Sequence, residues 1–178
     1  MIIVQGRSVG SRRGCLLTII DTKYPDLPVA KWYDYGMGKL DGKIALVTGA
    51  SKGIGAGVAL SLAKEGAAVA VNYASHREGA DRVVEKIKAA GGKAIAVQGS
   101  VTSSEEIDRF FSETEQQLGN VDILVNYAGV FAYLPLQDVN EKEFHRQFDT
   151  NVLGLLLTSK RAQSNLAKRA AASSTSAR

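Results

Sequence analysis

Eight residues, Thr48-Gly49-Ala50-Ser51-Lys52-Gly53-Ile54-Gly55, hold three glycines, two hydroxyls and a lysine. Glycines let a backbone turn sharply and let a pyrophosphate approach main-chain N–H groups. A helix that starts inside the turn adds the positive end of its dipole. The spacing is Gly-x-x-x-Gly-x-Gly, which differs from the generic Gly-x-Gly-x-x-Gly pattern. A ligand-free strand-to-helix turn could have the same composition, so the position of the stretch in the fold must decide. A second group of residues bears on which nucleotide would fit. A carboxylate at the end of the next strand normally holds the ribose hydroxyls of NAD and repels a 2′-phosphate. Here that strand ends Val71-Asn72-Tyr73-Ala74-Ser75-His76-Arg77, with no acid before Glu78. Lys52, Ser75 and Arg77 can offer charge or donors to phosphate, so NADP(H) is expected over NAD(H). A solvated loop is the alternative for His76 and Arg77.

The elements that would position these groups follow from two periods. Four apolar, β-branched runs, Ile44 to Thr48, Ala68 to Tyr73, Ala94 to Gln98 and Val121 to Asn126, lack the alternation of a half-wet sheet. That is the pattern of parallel strands covered on both faces. Helical segments separate them. Ile54 to Glu65 is rich in Ala and Leu and stops at Gly66; Val83, Val84, Ile87 and Ala90 form a stripe that stops at Gly91-Gly92. Ser103 with Glu106 makes a capping box ahead of Ile107, Phe110, Phe111 and Leu118, and Gly119-Asn120 ends that segment. Asn140 caps a last helix with the stripe Phe144, Phe148, Val152 and Leu155 or Leu156. The order βαβαβαβα predicts right-handed crossovers and an α/β, doubly wound parallel sheet.

Composition removes several other functions. The net charge of +4 lies in the ends: residues 1–38 and 160–178 carry ten basic and three acidic side chains, and the stretch between is net acidic. A phosphate-reading surface for nucleic acid is therefore not expected on the folded part. No apolar run approaches the about 20 residues that span a bilayer. The lone Cys15 forms no internal disulfide, which points to a reducing, cytoplasmic setting. Residues 1–36, with Pro25, Pro28 and no sustained period, are expected to be an irregular N-terminal extension. Their basic start has no convincing cleavage site, so a signal peptide is not expected. The folded domain is expected over 37–166, with Met37 as a natural start, and the Ala/Ser-rich stretch 167–178 as a disordered tail.

TGASKGIG after the first strand, Asn126-Tyr127-Ala128-Gly129 after the fourth, and Asn151 in the helix beyond resemble the short-chain dehydrogenase/reductase family, over about residues 37 to 160. The wording is similar to classical members such as 3-oxoacyl-carrier-protein reductases and glucose dehydrogenase-like enzymes. The resemblance implies a Rossmann-like sheet of strand order 3-2-1-4, incomplete at about four βα units, and an NAD(P)-dependent oxidoreductase acting on an alcohol or carbonyl substrate. It also implies a homo-oligomer. Carried over, the cofactor-binding residues are Gly49, Ser51, Lys52, Gly53, Ile54, Gly55, Asn72, Ser75, Ser100, Val101, Asn126, Ala128 and Gly129. Ser100 stands where the family often has an Asp against the adenine. Tyr127 replaces a second Asn in the family phrase DILVNNAGV, and a ring that large is expected to strain or reshape its loop by about 1–3 kcal/mol.

Of the family's catalytic Asn, Ser, Tyr and Lys, Asn151 matches the Asn. No Tyr follows Tyr133. The one Tyr-x-x-x-Lys, Tyr35 with Lys39, precedes the first strand, and its two intervening glycines argue against a helix there. Chemistry by this chain alone is not expected. The fourth strand is also expected to stand as a bare sheet edge. Three readings stay open: a dinucleotide-binding piece of an oxidoreductase without turnover, a regulatory module that associates with full-length relatives, or the product of an interrupted frame without stable structure.

Overall fold

The computed structural model describes Val4–Gln5 and residues 38–175, with side chains described over 38–165. Five strands, β1 (Val4–Gln5), β2 (Ile44–Val47), β3 (Ala68–Tyr73), β4 (Ala94–Gln98) and β5 (Ile123–Val125), form one sheet of order β1-β5-β2-β3-β4. β2 to β5 are parallel, with Ile44 opposite Ala68, Val69 opposite Ala94 and Ala45 opposite Ile123. Counted among the four expected strands, this is the order 3-2-1-4.

Neighbouring residues on each strand serve opposite faces. Ala45, Val47, Val69, Val71, Ile123 and Val125 pack into one core with Ala59 of α1 (Gly53–Lys64) and Ala80, Val83, Val84 and Ile87 of α2 (Arg77–Ala89). Leu46, Ala70, Val97 and Leu124 pack into the other with Ile107, Phe110 and Phe111 of α3 (Ser104–Gln117) and Ala162 of α5 (Gly154–Thr175). One wet face would have required polar residues at every second position. Here both are covered, which explains the unbroken apolar runs. Phe110 and Phe111 are fully buried, each burial stabilising the fold by about 1.5–3 kcal/mol.

The expected punctuation is present. Gly66, Gly91 and Gly119 follow α1, α2 and α3 with φ of 97°, 83° and 109°. Ser103 Oγ accepts from Glu106 N at 3.3 Å, but the Glu106 carboxylate accepts from Ser100 N at 2.8 Å instead of closing the box on Ser103. The cap thereby also anchors the turn after β4. Asn140 Oδ1 accepts from Glu143 N at 3.0 Å and starts α4 (Glu141–Phe148).

Three expectations are corrected. The edge of β5 is not bare: β1 lies antiparallel to it, Val4 opposite Val125 and Gln5 opposite Leu124, so the N-terminal extension contributes a strand. Its remaining residues, with Tyr35 and Met37, lie outside those described. The last helix is two, α4 and α5, joined by a π-helical turn at Asp149–Leu153. Its stripe is not core, since Phe144, Phe148, Val152 and Leu156 are each about half exposed. Finally, α5 continues to Thr175, so the stretch expected to be a disordered tail is helical that far, as its alanines favour. Among the described residues no helix is long and apolar enough to cross a membrane.

Candidate dinucleotide cleft

The C-terminal ends of β2, β4 and β5 open on a cleft of about 190 Å³, lined by Thr48, Val101, Asn126, Tyr127, Ala128, Gly129, Asn151, Gly154 and Leu155. A larger groove, about 620 Å³, lies at the other end of the sheet among Asp41, Lys43, Lys64, Lys86 and Lys93. It contains none of the motif residues, and Lys64 and Lys86 stand in the last turns of α1 and α2, where cations complement the helix dipole. The N-termini of the crossover helices face the smaller cleft, so an anion is favoured there.

Thr48 fastens the glycine turn to the segment after β5. It is buried, its Oγ1 accepts from Tyr127 N and Ala128 N at 3.0 Å each, and its own N–H donates to Val125 O at 3.0 Å. Gly49 then runs so close that a Cβ would lie 2.8 Å from Ala128 Cα, and its φ is +64°. Asn72 ties the same turn to β4. Its Oδ1 accepts from Gly49 N at 3.4 Å, and its Nδ2 donates to Val97 O and Gly99 O at 3.3 and 3.0 Å. Ala50 N donates to Asn72 O at 2.8 Å. Gly49 and Ala50 have thus spent their N–H groups inside the protein. The next ones, at the start of α1, belong to a first turn that has no intrahelical acceptors.

That first turn is where an anion fits. Lys52, the N-cap residue of α1, makes no side-chain cap, whereas Ser103 and Asn140 cap α3 and α4. Gly53 has φ +59°, nothing lies within 4 Å of where its Cβ would be, and Ile54 beside it is exposed. The cradle opens outward. At α2, a Cβ on Gly79 would collide with the His76 ring and with Ser51 O, so the segment carrying Ser75 and Arg77 abuts the glycine turn. Arg77 Nε is 3.5 Å from Asp81 Oδ2 on an exposed face.

The remaining expected residues fall into two groups. Val101, Asn126, Ala128, Gly129 and Asn151 line the cleft. Asn126, however, does not have a free amide: one end lies 3.0 Å from Ser159 Oγ and the other 2.6 Å from Thr158 Oγ1. Ser100 is committed to a local turn, its Oγ accepting from Thr102 N at 3.2 Å and lying 2.8 Å from Thr102 Oγ1. Asn151, in the π-helical turn, accepts from Val130 N and donates to Val130 O, both at 2.8 Å, and so holds the loop after β5 by its backbone. Gly154 of α5 packs on Val101, whose Cγ2 would be 2.6 Å from a Cβ there.

Tyr127 is accommodated by Gly55. A Cβ on Gly55 would lie 2.7 Å from Tyr127 Cδ1, so the ring takes space that only glycine leaves and joins the core under α1. Thr48, Thr158 and Ser159 were not assigned a role from sequence. Thr48 opens the glycine stretch and was legible there; the other two act across more than 30 residues and had no local signal.

A sequence model described as short chain dehydrogenase matches residues 43–173. An uncharacterized oxidoreductase of Methylorubrum extorquens is 53% identical over 130 residues, 73% of this chain and 52% of that protein. Versicolorin reductase 1 of Aspergillus parasiticus is 45% identical over 124 residues, 70% and 47% of the two chains. A short chain dehydrogenase from Burkholderia cenocepacia, solved in complex with NADP, superposes with a TM-score of 0.68 at 38% identity, over 70% of this chain and 51% of that one. The chain spans about half the length of the relatives it matches.

Proposed function

The chain belongs to the short-chain dehydrogenase family, a family of oxidoreductases, and from that premise we propose that it is a dinucleotide-binding unit selective for NADP(H). The observation that carries this reading is the uncapped first turn of α1, open at Gly53 and braced from behind by Thr48 and Asn72. Ser51, Lys52, Gly53, Ile54 and Gly55 would hold the pyrophosphate through main-chain N–H groups and the helix dipole. Lys52, Ser75 and Arg77 would take a 2′-phosphate, with no acid before Glu78 to repel it. Ser100, Val101, Asn126, Ala128 and Gly129 border the space left for the nucleoside ends. Only in a full-length relative, with the rest of the site in place, would the bound nicotinamide give or take a hydride at the carbon of a small alcohol or carbonyl compound.

Asn151 has one role of its own, fixing Val130 and so the mouth of the cleft. No Tyr-x-x-x-Lys lies beyond β5, so the chain by itself is inactive toward carbonyl substrates in this reading. The test is a thermal melt and a fluorescence titration with NADPH and with NADH. A cooperative transition raised by NADPH more than by NADH supports the reading. NADH binding tighter, or neither nucleotide moving the melt, overturns it, and absence of a cooperative melt would favour an unfolded product.

A second reading concerns association. Phe144 and Phe148 stack at 4.3 Å on a face that continues through Val152 and Leu156, all half exposed. That face suits a second copy or a full-length relative. Light scattering that shows a dimer, lost in Phe148→Asp, supports it; a monomer at high concentration refutes it.

A further inference from the structure

We propose that Thr158 and Ser159 are positioning residues that grip Asn126 by both ends of its amide, with Nδ2 turned toward Thr158, so that the docking of α5 sets the wall of the cleft. Thr158 Oγ1 is fully buried and lies 2.6 Å from one end of the Asn126 amide, 2.7 Å from Gly154 O and 3.1 Å from Leu155 O. A hydroxyl has one proton. If the near end of the amide is oxygen, that proton must choose between acceptors at 2.6 and 2.7 Å, leaving two oxygens in close contact with no hydrogen between them. With Nδ2 at that end, every short contact is a hydrogen bond. Thr158 donates back to Gly154 O, four residues earlier, as helical threonines do, and accepts from Asn126. Ser159 Oγ then donates to Asn126 Oδ1 across 3.0 Å. The two ends of an amide are assigned by such a network, and this one has a single complete solution.

The consequence is mechanical. Asn126 follows directly on β5, Gly154 packs on Val101, and Leu155 lines the same cleft, so three walls are referred to the first turns of one helix. Among these contacts only the Asn126 pair reaches the strand side through side-chain hydrogen bonds. Only the last arm of the test rests on the dinucleotide reading.

The deciding measurement is side-chain amide exchange at Asn126 by NMR, its resonance assigned with Asn126→Asp. Thr158→Val keeps shape and removes the acceptor. It should speed exchange of the Asn126 NH₂ protons by about tenfold, the size of one lost hydrogen bond, while Ser159→Ala leaves them unchanged within about twofold and Thr158→Ser restores them. The reverse pattern, Ser159→Ala speeding exchange and Thr158→Val not, overturns the orientation. Should Thr158→Val fail to fold, Thr158→Ala takes its place: exchange about tenfold faster there, beside unchanged exchange in Ser159→Ala, supports the grip, and exchange unchanged in both refutes it. NADPH affinity supplies the last arm: about tenfold weaker in Thr158→Val at an unchanged melting profile, and recovered in Thr158→Ser. Wild-type protein that shows the exchange pattern but no NADPH affinity would refute the dinucleotide reading and leave the grip standing; exchange unaffected by either substitution would refute the grip whatever the affinity.

Discussion

Arg161 of α5 is the place where the last helix can be cut loose. Its guanidinium reaches Asp108 Oδ1 at 2.8 Å and Glu115 Oε1 at 3.2 Å, also bonds Asn165, and lies 5.1 Å from the centre of the Phe111 ring. The side chain is 17% exposed and Glu115 26%, whereas Asp108 is 67% exposed. The Asp108 pair is mostly solvated, and screening leaves it about 0–1 kcal/mol. The half-buried bond to Glu115 is worth about 1.5–3 kcal/mol to remove, because the carboxylate stays behind with Asn165 as its remaining partner. The ring contact adds about 0.5–1 kcal/mol. Arg161→Ala should therefore destabilise by about 3 kcal/mol, a fall in melting temperature of about 6–12 °C for a chain of this size. Arg161→Lys keeps the charge but not the planar fork and should lose about half as much. Urea denaturation followed by circular dichroism measures both, with a double-mutant cycle against Glu115→Ala to isolate the pair. A loss under about 0.5 kcal/mol for Arg161→Ala, or a cycle with no coupling, would show that α5 is held by its apolar contacts and that the charge cluster is incidental.

Two glycines should respond with opposite signs. Gly49→Ala meets a positive φ and the Ala128 backbone, and should destabilise by more than about 2 kcal/mol and abolish any nucleotide-induced rise in melting. Gly57→Ala, in the α1 interior with nothing within 4 Å of the new methyl, should stabilise by about 0.5–1 kcal/mol in the same denaturation assay. The Glu143 carboxyl is held below its ordinary 4.5 by hydrogen bonds from Arg146, with Gln147 a further donor. Its lowered value means that its contribution to α4 is present above pH 4.5 and is lost as the pH falls through the folded-state value. A ¹³C titration should therefore give a midpoint below 4.5, and Glu143→Gln should remove the acid-side loss of helicity; a midpoint above 4.5 would contradict the bond.

The sheet was legible because both of its faces are covered. Each strand had to be apolar throughout, and each helix had to end at a glycine that reverses the chain, so short runs and Gly66, Gly91 and Gly119 marked the architecture. The glycine turn was legible for the same local reason. What local pattern could not show are bonds between distant side chains. Asn151 looked like one residue of a continuous helix, but its amide is committed to Val130, and the π-helical turn around it leaves Phe148 and Val152 outside the core. Asn126 looked free for a ligand, yet its amide is bound by two hydroxyls on a helix that begins 28 residues later. Tyr127 looked like an intruder until Gly55 was placed beneath it. The strand at Val4–Gln5 is too short to have a period of its own.

That short strand also fixes an order of events in folding. β2, β3 and β4 pair across connections of about 25 residues, β5 must close about 80 to reach β2, and β1 closes about 120 to reach β5. Loop-closure entropy grows with each span, so β2, β3 and β4 can assemble while β5 is still free, and β1 joins an edge that already exists. Two residues of backbone pairing repay little of that entropy. By loop entropy alone the cap on the sheet should be the last contact to form and the first to open, and until it forms β5 is an edge available to whichever strand arrives first.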